Sequence, residues 1–585
     1  MPAPWKSVVG VKSSKPAQVS EKTVSSEAED NVLPSSDDEV INEELQKGVQ
    51  KAQAMTQLWK KRDLIAIFII IWVIQFVLAF SSGIIGTLTP YVTSSFEQHS
   101  LTALTGVIST LIAGLIKLPY AKSIDIWGRA QGFAFMVLSI TIGTIMMAGC
   151  NNVKTYCAAQ VFYWVGYNGI DFTITIFIAD TTKLKNRAFI LAYTSSCYIA
   201  TVWAYGPAAE SILNTIGFRW GFGIWAIIIP VVCSPLFGLL YYYQLKAVKV
   251  GLIPKREKSG RTFWQSVVFY GKEFDVIGIF ILALGLALFL LGFNLYSYQK
   301  NEWRSPLIIC FLIIGGLLII SFGIWEYFAP VSFIPWELLT NRTVIFTYSM
   351  AAAMYCSFYI WDSYFFSFII VVFNLSTARA TYITNIYSIG SCFCALVVGV
   401  IIRCYGRLKS IALFWGVPIT MLGCGLMIKY RSPDSNLGLI VMCQLFIAFG
   451  GGALVICEQM TVMAVSAQQH IPAVLAMEAM VIAIGEAVGQ TIAGAMWTGI
   501  FPKKLAEYLP ADVQDQLLSI YGSLTVQISY PRGTAAREAI DRSYGDTQRL
   551  MCIAATCIYA TCIFSTLLWK EVNVKEIKQV KGLTL

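Results

Sequence analysis

Histidine is nearly missing from this chain: His99 and His470 are the only two in 585 residues. Fifteen cysteines are present, but they form no Cys-x-x-Cys pair and no cluster with histidine. Without soft ligands at metal-binding spacing, neither a resident metal centre nor a histidine-based metal carrier is expected, and no cofactor is implied. Charge is scarce as well. Asp, Glu, Lys and Arg make up 13% of the residues, about half the roughly 25% of soluble proteins. No paired catalytic constellation stands out, so an enzyme is not expected. A cleavable leader is not expected either, because the first 62 residues are polar and the first apolar run is long and late.

Hydrophobic residues fill the space these absences leave, at 56% of the chain with a mean hydropathy of +0.63. They fall into about fourteen stretches of roughly 20 residues or more, the length that crosses a bilayer as a helix. The expected spans are 64–88, 101–122, 130–149, 155–179, 187–209, 220–243, 275–296, 306–328, 343–373, 377–402, 411–430, 437–464, 473–501 and 548–569. In hydrocarbon each backbone N–H and C=O must be satisfied within its own segment, so the spans must be helices and the fold all-α.

Basic residues orient the bundle. Lys60, Lys61 and Arg62 precede span one. Lys122 and Arg129, then Lys183, Lys185 and Arg187, then seven Lys and Arg from Lys246 to Lys272, lie in alternate loops on that same side. So do Arg403, Arg407 and Lys409, and four lysines from Lys570 to Lys581. The opposite loops hold few: Lys154, Arg219, Lys300, Arg304, Arg379, Lys429 and Arg431. Both termini are therefore expected in the cytosol. The net charge of +9 largely reflects this bias and implies no nucleic-acid partner. Residues 1–50 mix Ser, Pro, Glu and Lys and read as a disordered tail, either a tether or a carrier of sorting signals. Cys150 and Cys157 fall near one outer loop and could pair.

The two halves share punctuation. Ala121-x-x-x-Asp125-x-x-Gly128-Arg129 follows span two, and Gly399-x-x-x-Arg403-x-x-Gly406-Arg407 follows span ten. Glycine permits a tight turn there, and the arginine is suited to helix-end carbonyls or a carboxylate. Asp125, Gly128, Arg129, Arg403, Gly406 and Arg407 are read as gate and packing residues. This pattern resembles the loop signature of the major facilitator superfamily. Tyr205-Gly206-Pro207 in span five resembles the motif of its fourteen-span branch.

Further segments resemble the fungal siderophore–iron transporter family. They are Trp361-Asp362-Ser363-Tyr364-Phe365, Ile178-Ala179-Asp180 with Asn186-Arg187, Ile334-Pro335-Trp336-Glu337-Leu338-Leu339, Gly489 through Trp497, and Tyr530-Pro531-Arg532-Gly533-Thr534. The resemblance implies a major facilitator fold. Its parts would be a cytosolic tail (1–62), a six-helix bundle (63–243) and an inner loop with two inserted helices (244–330). A second six-helix bundle (331–570) containing an outer loop at 502–547, and a short cytosolic tail (571–585), would follow. It also implies proton-driven uptake of ferric siderophores, mainly hydroxamates, with the protein supplying no iron ligand. The expected partners are a ferric siderophore, protons and the lipid bilayer. The protein is expected as a monomer, in the plasma membrane or an endosomal membrane. Related carriers for glutathione, haem or drugs remain open, as does a receptor that binds without transporting.

Charges within spans need a reason, because each costs about 2.5–3.5 kcal/mol on insertion scales. Asp362, flanked by Phe358, Tyr359, Trp361, Tyr364, Phe365 and Phe366, is the first candidate for proton coupling. Asp171 is expected to pair with Lys117, as a structural bridge or a gate. Glu486 lies on a small-residue helix and either lines the cavity or contacts a neighbour. Glu458 and Glu478 read as lying nearer a membrane face. The loop 502–547 offers an N-cap at Asp512 and a second short helix after Thr534. Trp361, Tyr364, Tyr521, Tyr530, Arg532, Arg537 and Tyr544, with Arg542 nearby, are candidates to contact a bulky, oxygen-rich ligand. A self-packed lid is the alternative for that loop.

Overall fold

A computed structural model describes residues 54–55, 58–95, 109, 111–252, 262–273, 275–296, 299, 301–328, 341–466 and 470–577. The tail expected to be disordered, His99, the first part of span two (101–108 and 110) and the Ile334–Leu339 motif lie outside the described residues. Among the described residues, thirteen helices are long and apolar enough to cross a membrane.

The first half comprises α1 (Lys61–Ser95), α2 (Lys117–Trp127, which ends span two), α3 (Arg129–Ala148) and α4 (Val153–Thr181). Span five is broken into α5 (Leu184–Ser195) and α6 (Cys197–Thr215), and α7 (Gly217–Val250) completes the half. A short amphipathic α8 (Phe263–Glu273) follows, then the inserted pair α9 (Val276–Leu295) and α10 (Pro306–Phe328). The second half opens with span nine, broken into α11 (Arg342–Asp362) and α12 (Phe365–Phe373), and span ten, broken into α13 (Thr377–Thr384) and α14 (Ile386–Tyr405). It continues through α15 (Val417–Tyr430), α16 (Leu437–Ala464), α17 (Ile471–Tyr508), α18 (Leu517–Gly522), α19 (Leu524–Ser529) and α20 (Ala535–Leu567).

Helix ends follow local chemistry. Asn152, Asn341, Asn436 and Thr534 each cap a helix by accepting a backbone N–H with the side chain. Within the first half α3 packs on α4 and α7, and α1 on α6 and α7; within the second, α11 packs on α17 and α20, and α16 on α14 and α15. The small residues of α17 let backbones approach: a Cβ added at Gly485 or Gly489 would stand 2.5 Å from Ala352 O or Cys356 O of α11. The two halves meet where α5 and α6 face α14, and where α2 faces α17. At Gly399 of α14 an added Cβ would come within 2.8 Å of Phe189 Cα of α5.

The outer loop differs from expectation. α17 runs on to Tyr508 and α20 begins at Ala535, so the connection is shorter than 502–547 and the helix after Thr534 is the start of the last span. At about 1.5 Å per residue these helices are roughly 57 and 50 Å long, well beyond a hydrocarbon core of about 30 Å. Their outer turns, with α18 and α19, form a cap. The helix expected after Asp512 starts later, as a 3-10 turn at Gln514–Gln516 followed by α18. Cys150 and Cys157 are both free thiols. Cys150 lies in the outer turn between α3 and α4, where burial holds its thiol above the usual range against the pull of Arg219.

Candidate functional site

The break after α11 sets the depth of Asp362. It is the last residue of a helix starting at Arg342. Twenty residues at about 1.5 Å place it roughly 30 Å from the start of α11, about the thickness of a hydrocarbon core. The expectation that it lies well away from a helix end is therefore corrected: the chain turns at Ser363, whose hydroxyl donates to Tyr359 O. Asp362 is half-buried and, with Phe358, Phe366, Thr384, Asn385, Tyr387 and Ser388, lines a cavity of about 250 Å³.

Behind it stands Arg431, whose sequence position predicts an outer loop. Arg431, at the end of α15, is fully buried and lies 4.3 Å over the Phe365 ring and 5.7 Å from the Phe368 centroid. Its Nη1 donates to Trp361 O at 2.6 Å, while Nε and Nη2 have no hydrogen-bond partner among the described residues. Its charge acts on Asp362. Trp361 is buried at 2% exposure and packs edge-on to Phe358, so its ring does not face the cavity. A cation stacked on aromatic faces is stabilised without a carboxylate in contact, and that arrangement has no linear signature.

The other named acids lie deeper. Asp171 of α4 accepts from Gln75 Nε2 of α1 at 2.8 Å. No ion pair within 4.0 Å joins it to Lys117, which corrects the expected bridge. Lys117 of α2 is half-buried and within electrostatic reach of Asp171 on its own half and of Glu486 and Glu478 on the other. Glu486 is half-buried on α17, while Glu478 is 3% exposed and Glu458 of α16 is fully buried. Neither oxygen of Glu458, nor Oε1 of Glu478, has a hydrogen-bond partner among the described residues. Counting residues from helix ends gives no sign of the burial of these two glutamates, which depends on what packs around them.

The cap accounts for most of the residues expected to touch ligand. Arg537 is 1% exposed. It donates to Gln527 O at 2.8 Å, to Tyr530 O at 3.1 Å and to Val371 O, and its Nε is 3.3 Å from Asp541. Arg532 donates to Val372 O at 2.6 Å. The two arginines thus complete the last carbonyls of α12, a favourable place for positive charge. Tyr544 is buried and donates to Gln527 Oε1 at 2.8 Å, and Tyr530 donates to Gln516 Oε1 at 2.6 Å. Arg542 lies over the Tyr508 ring at 4.4 Å. Tyr364 stacks on Trp497 at 4.2 Å, Trp497 on Phe501 at 4.3 Å, and Tyr544 and Tyr521 flank Phe501 at 4.9 and 6.2 Å. The cap is self-packed: Arg532, Arg537, Tyr530 and Tyr544 direct their polar atoms into it rather than toward the Asp362 cavity.

The two punctuation motifs have diverged. Arg129 is 2% exposed and spans Asp125 at 3.0 Å and Asp180 at 3.1 Å, while also donating to Ile124 O at 3.1 Å. Gly128 turns the chain at φ 111°. Arg187 is buried beside it, donating to Ala179 O at 2.8 Å and reaching Met463 Sδ of the second half at 3.9 Å. In the second motif Gly406 adopts φ 84°, but Arg403 and Arg407 are exposed and Arg407 lies 5.7 Å from the Tyr405 centroid. With Arg403 where the first copy has Asp125, the local carboxylate is missing. The chain after α20 covers this turn instead, with Val574 N donating to Gly406 O at 2.9 Å.

Comparison with known proteins follows the same lines. The family model described as Major Facilitator Superfamily matches residues 71–490. The chain is 55% identical, over 93% of both sequences, to an MFS siderochrome iron transporter 1 of Ajellomyces capsulatus. It is 42% identical to siderochrome iron transporter 2 of Aspergillus fumigatus, across 92% of this chain and 89% of that one. A siderophore iron transporter of Emericella nidulans is 40% identical, across 94% and 91%.

Proposed function

The chain belongs to the siderophore iron transporters of the major facilitator superfamily, and from that premise we propose that it imports ferric hydroxamate siderophores of the ferrichrome type by proton symport. Three hydroxamates saturate Fe³⁺ and neutralise its charge, so the protein needs to recognise an oxygen-rich shell rather than the metal. The half-buried Asp362, with phenol, amide and hydroxyl groups beside it and aromatic walls, suits that task.

What supports the proton-coupled reading is a set of titratable groups within the spans: Asp362 at its cavity, then Glu486 and Asp171 near Lys117 where the halves meet. Buried acids on a transport path are the usual carriers of a coupling proton. The cavity, at about 250 Å³, is smaller than the roughly 300–1,000 Å³ of sites that enclose drug-sized ligands. It must therefore widen to admit a chelate, which rocking of the two halves would do. Trp203 of α6 and Tyr382 of α13 face each other at 5.1 Å on the outer side and would part in that motion. We place the protein in the plasma membrane or an endosomal membrane, as a monomer with both termini in the cytosol. Asp125, Arg129 and Asp180 serve the cytosolic gate.

The test is uptake of ⁵⁵Fe-labelled siderophores, one at a time, by cells lacking other iron-uptake routes. Asp362→Asn should reach the membrane in normal amount and fail to accumulate label. Full accumulation by that variant removes Asp362 from coupling, and uptake of haem or glutathione in place of the hydroxamates overturns the cargo.

A further inference from the structure

The proton path has an outer group in Asp362 but needs one that gives the proton up inside. Glu458 is the most thoroughly isolated acid among the described residues: it is fully buried and neither oxygen has a hydrogen-bond partner there. Glu478, whose Oε1 is likewise unpartnered, lies within electrostatic reach on the helix packed against it, where α16 meets α17. An ionised carboxylate without a partner is heavily penalised in such a setting, and a second one beside it adds repulsion. A proton held on either one relieves both.

The pair also lies at the right depth. Glu458 is six residues from the end of α16 and Glu478 seven from the start of α17, so both sit about 10 Å from the cytosolic ends. Asp362 is roughly 20 Å further out by the same measure. Between them stands Tyr387, which lines the Asp362 cavity, rests its hydroxyl against Gly451 of α16 and is within electrostatic reach of both Glu458 and Asp362.

Resting on the proton-symport reading, we propose that Glu458 and Glu478 form a buried acid pair that takes up the co-transported proton and releases it to the cytosol. The groups around the pair are Tyr348 and Tyr355 of α11, Tyr387 of α14, Cys457 of α16, Cys562 of α20, Glu486 of α17 and Lys117 of α2. Lys117 is the cation in this set, and it comes from the other half. When the pair is ionised Lys117 attracts it and holds the inner ends of the halves together. When a proton binds, that attraction falls and the inner side is freer to open. The carboxyl O–H bond then breaks toward cytosolic water, the proton leaves, and the attraction returns. No electron is transferred.

The test uses full-length protein in proteoliposomes with ⁵⁵Fe-ferrichrome as the probe. A gradient of about 2 pH units, acid outside, drives a neutral cargo coupled to one proton toward a ratio of about 100, since each pH unit is a factor of ten. In Glu458→Gln the ratio should fall to about 1, and exchange of labelled for unlabelled complex, at whatever rate it runs, should no longer vary with pH. Glu478→Gln, on the neighbouring helix, decides the matter the same way if Glu458→Gln does not fold. Wild-type accumulation that follows the gradient, with a glutamine variant that accumulates and titrates like wild type, overturns the acid pair alone. Wild-type transport of ferrichrome that ignores the gradient overturns the proton-symport reading and the acid pair with it.

Discussion

Replacing Arg537 with alanine separates a structural role from a ligand-binding one at the outer cap. The side chain is 1% exposed, and its guanidinium reaches three backbone carbonyls and Asp541. Alanine leaves those carbonyls without a donor and Asp541 without its counter-charge. Hydrogen bonds to a charged group are worth about 1.5–3 kcal/mol each, and the terms do not add fully. Removing one partner of a buried pair costs about 3–5 kcal/mol, a reasonable total for this site. The loss should fall on the cap and on α12, whose Val371 carbonyl Arg537 completes. The assay is thermal unfolding of purified protein in detergent, with limited proteolysis between Leu509 and Thr534. The variant should unfold at a lower temperature and be cut faster in that segment, with siderophore affinity falling only as far as folded protein is lost. Unchanged stability and unchanged proteolysis together with abolished siderophore binding would refute this and make Arg537 a ligand contact.

Two further predictions concern the α2–α3 turn and the contact between the halves. Arg129→Ala leaves Asp125 and Asp180 buried without their shared cation, at a cost of about 3–5 kcal/mol; thermal unfolding should show this loss, with Arg129→Lys intermediate because it lacks the planar fork. Gly399→Val inserts a side chain where a Cβ would already come within 2.8 Å of the Phe189 backbone; it should slow uptake at matched membrane abundance, because the halves can no longer close at α5 and α14.

Much of the framework is legible in the residues because the bilayer forces one period and one length on every span. Spans expected at 306–328 and 437–464 appear as Pro306–Phe328 and Leu437–Ala464. The last span was misjudged for the same reason. Arg537, Glu538, Asp541, Arg542 and Asp546 mark where α20 leaves the membrane, and hydropathy cannot distinguish that from where the helix ends. The Thr534 cap was the better signal, and it does start α20. Asp362 looked central because its hydrophobic run is continuous to Phe373, whereas the backbone turns at Ser363. Arg129 was legible as a partner for helix-end carbonyls or a carboxylate, but the turn at Gly128 separates its helix from that of Asp125, and Asp180 joins the contact through tertiary packing. Arg431 stood in a loop of the opposite sign bias and gave no hint of its aromatic surroundings. The isolation of Glu458 arises where α16 meets its neighbours, which no single span records.

Proton flux measured alongside cargo tests the central claim most directly. Vesicles containing the purified protein and an internal pH-sensitive dye, held acid outside, receive ferric ferrichrome. Internal acidification that begins with the complex, scales with ⁵⁵Fe influx and is absent without it is the predicted result. Entry of ⁵⁵Fe with no accompanying acidification would contradict it.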